Sequence, residues 1–173
     1  MYVKFLGAAL IVAAAYLYGC QVSFLYSKRV RLLEEILMAL EMFLTEVNYG
    51  LTPLPQAFSQ LGKKVQKPIG SLFCDAARCM KQKRGLSARE CWEEALLKNA
   101  SAFDFNKHQL DLFQRLGGVW GRGDREGQQK QIALMQNLLR QALQEAQVEE
   151  QKNVKVWRYL GLIGGLTIVV FLL

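Results

Sequence analysis

The chain has 173 residues, 51% of them hydrophobic, with 22 basic against 15 acidic residues and a formal charge of +7. That length holds one ordinary domain with short appendages, and the apolar fraction is slightly high for a soluble globule. Four cysteines without a CxxC pair, and a lone His108 with no Cys or His beside it, argue against a zinc site.

The apolar residues are unevenly placed. From Phe5 to Ser27 no residue is charged, and a helix rising about 1.5 Å per residue crosses a hydrocarbon layer of roughly 30 Å with such a run. Tyr159 to Leu173, YLGLIGGLTIVVFLL, is also uncharged but reaches only about 22 Å. It needs help from its flank, where Trp157 and Tyr159 suit the interface and Arg158 can snorkel. These runs predict three parts: a transmembrane helix and flank in 1–27, a helical body in 28–158, and a second transmembrane helix in 159–173.

Charge sets the expected orientation. Lys28, Arg29 and Arg31 follow the first apolar run, Lys152, Lys155 and Arg158 precede the second, and only Lys4 lies outside them. Basic flanks stay on the cytoplasmic side, which predicts a multi-pass protein of the cell membrane with its body in the cytoplasm. Anionic lipid is the nearest partner for these cations. A rival reading starts from LYGC, Leu17 to Cys20, which has the look of a lipoprotein signal and would lipidate Cys20 outside the cell. Tyr18, the single n-region lysine and the basic flanks oppose it. The remaining positive charge reads as spread out, apart from Arg78, Lys81, Lys83 and Arg84 at a helix end, where cations suit the dipole. That pattern does not favour nucleic acid.

Helical spacing recurs throughout the body. Leu33, Ile36, Leu37, Leu40, Phe43, Leu44 and Val47 form a stripe on a helix that continues from the first apolar run. Tyr49-Gly50 ends it. In YGLTPLPQAF, Thr52 is the expected N-cap, Pro53 the first helical residue, and Pro55 still within the first turn. The stretch is a helix stop followed by a rigid restart. Lys67-Pro68 opens a helix carrying Ile69, Leu72, Phe73, Ala76, Ala77 and Met80, closed by Gly85. Ser87 and Glu90 have capping-box spacing before Cys91, Trp92, Ala95 and Leu96. Asp104 is the expected cap of a helix with Leu110, Phe113 and Leu116 inward, broken by Gly117-Gly118. Asp124 caps a long last helix bearing Ile132, Met135, Leu138, Leu139, Ala142 and Ala146. The expected fold is all-α: an antiparallel bundle of about six helices, flanked by N- and C-terminal transmembrane helices. Cys74, Cys79 and Cys91 read as small packing residues in a reducing cytoplasm.

Motifs for chemistry are weak. LGGVWGRGD lacks the lysine–serine or lysine–threonine ending of a phosphate loop. Glu93-Glu94 and Glu149-Glu150 are adjacent in sequence and point apart on a helix. No nucleophile, base and oxyanion donor assemble, so neither an enzyme nor a cofactor is expected.

The stretches KFLGAALIVAA, LTEVNYGLTPLPQAF, ECWEEAL, RLGGVWGRGDREGQQKQI and YLGLIGGLTIVVFLL, in that order, resemble the stage III sporulation protein AB family over essentially the whole chain. The resemblance implies a helical domain like the cytoplasmic domain of type II secretion F proteins. It also implies a place in the mother-cell membrane facing the forespore, in a secretion-like channel complex. Its partners would be a secretion-type ATPase and the other membrane subunits of that complex. Gly161, Gly164 and Gly165 would permit close approach of another helix, from such a subunit or a second copy. The rival functions are a membrane-tethered enzyme or lipid-binding protein, and an exported lipoprotein.

Overall fold

Apolar residues three and four apart from Leu33 to Phe43 dictate a helix with one buried face, and the helix that forms, α1, runs unbroken over Tyr2–Tyr49. The computed structural model describes residues 2–49, 52–82, 85–120 and 125–172. After α1 come α2 (Leu54–Lys64), α3 (Ile69–Gln82), α4 (Ala88–Lys98), a 3-10 turn (Ala100–Ala102), α5 (Lys107–Gly117) and α6 (Arg125–Leu172). There are six α-helices and no strand among the described residues. The chain divides into two compact units, Arg31–Leu143 and Met1–Val30 with Gln144–Leu173. Residues 144–158, read from the sequence as part of the body, thus group with the N-terminal residues instead.

In the unit Arg31–Leu143, α2 packs on α3, α3 on α4 and α4 on α5. Its core takes Leu33, Ile36, Leu37, Leu40 and Phe43 from α1, with Leu44 half-buried. From α6 it takes Ile132, Met135, Leu139 and Ala142. Aromatic rings fill the centre, one from each of the first four helices. Phe58 meets Phe73 edge-on at 5.1 Å between centroids, Phe73 meets Trp92 at 5.3 Å, and Trp120 meets Phe43 at 5.1 Å and Phe58 at 4.9 Å. Edge-to-face pairs of this kind add about 0.5–1.5 kcal/mol each beyond the area they bury. The Trp92 indole N–H donates to the Phe113 carbonyl at 2.7 Å, which fixes α4 against α5.

The helix ends repay attention to individual donors. Ser87 and Glu90 form a reciprocal capping box at the start of α4. The corner before α2 differs from expectation. Pro53, with ψ 142, is the N-cap, Leu54 the first helical residue, and Pro55 the second. No side chain caps this end. A Thr52 cap could not use the amide three residues on, because Pro55 has none. The Pro53 carbonyl instead accepts from the amides of Gln56 and Ala57 at 2.9 and 3.0 Å. Gly50 lies outside the described residues, as does Asp124. α5 is capped by Asn106, boxed with Gln109, rather than by Asp104. Leu110, expected inward on α5, is 38% exposed, while Leu112 is buried.

A further correction concerns sulfur. Cys79 on α3 and Cys91 on α4 are joined by a disulfide with Cα atoms 5.4 Å apart, where free packing thiols were expected. Residues a dozen apart in sequence became neighbours because α3 and α4 form a hairpin, which spacing along one helix does not reveal. Cys20 and Cys74 are free.

Two glycines set the α2–α3 distance. A Cβ on Gly62 would lie 2.8 Å from the Gly70 carbonyl oxygen and 2.9 Å from the Cys74 amide nitrogen, both backbone atoms that cannot rotate away. Likewise Gly117 leaves room for Trp92, whose Cδ1 would be 2.8 Å from an added Cβ. The α5 end at Gly118 is in right-handed helical conformation, so these two glycines serve space and not a left-handed turn.

In the other unit, α1 and α6 pair side by side. The Ser23 hydroxyl reaches the Val154 carbonyl at 3.3 Å, and the Ser27 hydroxyl donates to Glu150. Four residues forward on α1 correspond to four backward on α6, so the helices are antiparallel.

Replacing Gly62 by Ala forces α2 and α3 apart. The expected loss is about 1–3 kcal/mol, less the roughly 1 kcal/mol that alanine gains over glycine in a helix, leaving a net destabilisation. Urea unfolding of the variant followed by circular dichroism measures it; a midpoint equal to or above the parent's would refute the close-approach role.

Candidate functional site

Charge, counted by element, collects in one place. Residues 54–84 contain Lys63, Lys64, Lys67, Arg78, Lys81, Lys83 and Arg84 against the single acid Asp75, so this segment holds +6 of the chain's formal +7. The excess is therefore not spread out, as the first reading had it. α2 and α3 bring part of this set together around a groove of about 330 Å³, lined by Ser59, Lys63, Cys74, Arg78, Lys81 and Gln82. Ser59 and Lys63 are four apart on α2, and Cys74, Arg78 and Lys81 share a face of α3, which is why helical packing aligns them. Lys83 and Arg84 lie outside the described residues.

Asp75, on the same helix, does structural work. Its carboxylate accepts from Lys98 Nζ at 2.8 Å, from Asn99 Nδ2 at 3.0 Å and from Arg78 Nη1 at 3.1 Å. It thereby ties α3 to the C-terminal end of α4. Burial pushes its carboxyl upward, but the hydrogen bonds from Lys98 and Asn99 and the charges of Lys98 and Arg78 outweigh that and hold it below the usual range. The Ser87 amide and hydroxyl likewise hold the Glu90 carboxyl low.

A second groove, of about 670 Å³, runs between α4 and α5. Leu96, Leu97, Ala100 and Leu110 line its apolar part. Arg89 pairs with Glu93 at 2.8 Å and Arg115 with Asp111 at 2.8 Å along its edges. Each carboxylate is thus closed by an arginine of its own helix. The arrangement suits contact with an apolar surface and sets no base beside a nucleophile.

The basic residues expected beside the apolar runs fall on α1 and α6. Arg29 stands 5.6 Å from the Tyr26 ring centre, and Lys28 is half-buried. Arg31 belongs to the other unit and contacts Gln66. Lys152 and Lys155 are exposed on α6, and the side chain of Arg158 lies outside the description. Among the described residues no helix is long and apolar enough to cross a membrane. Much of both uncharged runs belongs to residues whose side chains lie outside that set. No group of three or more His, Cys, Asp or Glu suited to a metal ion occurs among the described residues.

Because the folded Asp75 carboxyl sits below its ordinary value, its contribution is present above the unfolded pKa and is lost as pH falls through the folded one. Asp75→Asn should therefore cost about 1 kcal/mol of stability at pH 7. The gap between parent and variant should close in acid, below about pH 4. Denaturant curves at pH 7, 5 and 3 test this; a constant gap would show that the carboxylate charge is not what holds α4.

Three comparisons bear on the whole chain. The family Stage III sporulation protein AB matches residues 4–173. Stage III sporulation protein AB of Bacillus subtilis (strain 168) is 31% identical over 170 residues, covering 98% of this chain and 99% of that one. A solved structure of stage III sporulation protein AB (SpoIIIAB) superposes with a TM-score of 0.67 at 28% identity, covering 72% of this chain and 98% of its own. With a match that runs nearly end to end, the chain belongs to the stage III sporulation protein AB family.

Proposed function

We propose that this protein is a non-enzymatic membrane platform acting in sporulation, whose helical body docks other proteins. In this reading the outer parts of α1 and α6 form a helical hairpin in the mother-cell membrane, and the body lies on its cytoplasmic side. A secretion-type ATPase and the other membrane subunits of a channel toward the forespore are its partners. The observation that carries the reading is the antiparallel pairing of α1 and α6 at Ser23–Val154 and Ser27–Glu150, beyond which the uncharged residues 5–18 and 159–172 continue the two helices. Two charge-free runs at the same end of an antiparallel pair are what a two-helix anchor requires. The cations Lys28, Arg29, Arg31, Lys152, Lys155 and Arg158 support the cytoplasmic orientation. Family membership supports the sporulation role.

A second reading has one observation in its favour. Disulfides persist in oxidising compartments, and Cys79 is bonded to Cys91. An exported body, lipidated at Cys20, would account for that bond. Cys79 and Cys91 are 8% and 0% exposed, and two thiols held side by side there would pack equally well in a reducing compartment, so the basic flanks decide for the first reading.

Two experiments separate them. Cys74 is a free, half-exposed thiol. In a Cys20→Ser background, a membrane-impermeant maleimide should label it only after the sporulating cells are permeabilised; labelling in intact cells would place the body outside. Crosslinking the full-length protein in sporulating cells should return the ATPase and neighbouring membrane subunits. Recovery of lipid or a small metabolite alone would point to a tethered enzyme or lipid-binding protein.

A further inference from the structure

The groove between α2 and α3 is more than a basic surface. Lys63 and Lys81 have no ion-pair partner among the described residues, and both are exposed. Arg78 shares the Asp75 carboxylate with Lys98, which leaves most of its guanidinium donors unused. Ser59 and Gln82 add neutral hydrogen-bonding groups beside these three cations. Of the described cations in this segment, Lys63, Arg78 and Lys81 line the groove while Lys64 pairs with Glu46 of α1 at 3.4 Å, so the positive field is carried by those three.

We propose that the α2–α3 groove docks an acidic segment of another protein, its Asp and Glu carboxylates received by Lys63, Arg78 and Lys81. The inference deepens the platform reading and rests on it for the existence of a protein partner. Two features favour carboxylates over other anions. First, no large hydrophobic side chain of α2 or α3 is among the exposed ones. Helices that lie in a lipid interface insert Trp, Phe or Leu beside their cations, and this face offers none. Second, single-stranded nucleic acid needs aromatic rings on which bases stack, whereas Phe58 and Phe73 are fully buried. What remains is a concave groove with a largely apolar lining, Ala77 included, and with cations and neutral hydrogen-bonding groups around it, which suits side-chain carboxylates on a chain narrow enough to enter it.

The test uses the full-length protein in neutral detergent micelles, with a fluorescent ten-residue polyglutamate peptide as probe and anisotropy as readout. The peptide should bind, and binding should weaken steeply with salt. The Lys63→Glu/Lys81→Glu variant should bind about tenfold less tightly or worse, equivalent to about 1.4 kcal/mol. Lys107→Glu/Lys130→Glu, with the same change in net charge at exposed positions of α5 and α6, should bind nearly as the parent. Arg78 is left intact because it helps hold Asp75. If the double reversal lowers helix content, Lys63→Gln/Lys81→Gln should show a smaller loss in the same direction. Equal losses in the two reversed variants, or no peptide binding by the parent, would overturn the proposal. So would Lys63- and Lys81-dependent binding to phosphatidylglycerol vesicles in place of the peptide. Should Lys63→Glu/Lys81→Glu still crosslink to every partner of the parent in cells, the platform survives and this docking face does not.

Discussion

Burial of one indole constrains most of the bundle. Trp92 is fully enclosed, and enclosing it raises two demands: a partner for its N–H and space for its ring. The Phe113 carbonyl answers the first and Gly117, lacking a side chain, the second. An orphaned indole N–H would cost about 1–3 kcal/mol, so the α4–α5 spacing is held to the one that satisfies both. From there the constraint passes outward through ring edges. Trp92 meets Phe73 of α3 and Phe58 of α2, and Trp120 links both to Phe43 of α1. Edge contacts prefer particular angles as well as distances, so each ring fixes the rotation of its helix. The grooves on either side of this centre inherit their shape from it.

How much of this was legible depended on whether a feature was local. The buried faces of α1 through α4 follow from period alone, and so does the Ser87–Glu90 box, because every atom concerned lies within one turn. The Asn106–Gln109 box was equally local, but the eye stops first at the acid Asp104. At the corner before α2 the N-cap is Pro53 and not Thr52, with no side-chain cap, in a stretch where Pro55 removes one of the amides a cap uses. By contrast, Cys79 meeting Cys91, Gly62 touching Gly70 and Asp75 reaching Asn99 depend on how α2, α3 and α4 pack. Nothing in the spacing along any one helix announces them. Glycine in a helix suggests weakness to a propensity argument, yet at Gly62 and Gly117 it marks where another element comes closest.

The surplus of cations in residues 54–84 is legible in the sequence. A running view of the chain shows cations beside both apolar runs and acids interspersed elsewhere, which averages into a mildly basic protein. Grouped by stretch, α1, α4 and α5 lie within one charge of neutral and α6 carries +2, while residues 54–84 carry +6. The grouping matters physically because a field depends on charges near one another in space, and the α2–α3 packing sets Lys63 and Lys81 on one groove. Asp75 neutralises the groove only in part. Arg78 shares its carboxylate with Lys98 and Asn99 of the neighbouring helix, while Lys63 and Lys81 are left exposed without an ion pair among the described residues.

The same care with packing revises the extent of the proposed anchor. Absence of charge from Phe5 to Ser27 reads, by itself, as a single long span. Yet the antiparallel register sets residues 19–27 of α1 level with 150–158 of α6, a stretch that includes Glu150, Lys152, Lys155 and Arg158. A lipid layer deep enough to cover Ser27 would take those charges in with it, at several kcal/mol for each. Part of the stretch after Tyr18 is neutral for another reason: Gly19 and Ser23 are buried, the Ser23 hydroxyl lies against the Gly19 and Val154 carbonyls, and Ser27 meets Glu150. Phe24 and Leu25 of the same stretch are exposed. In the proposed reading the apolar part of the anchor would then end near Tyr18 on one helix and Tyr159 on the other, with charge-free runs of similar length on both.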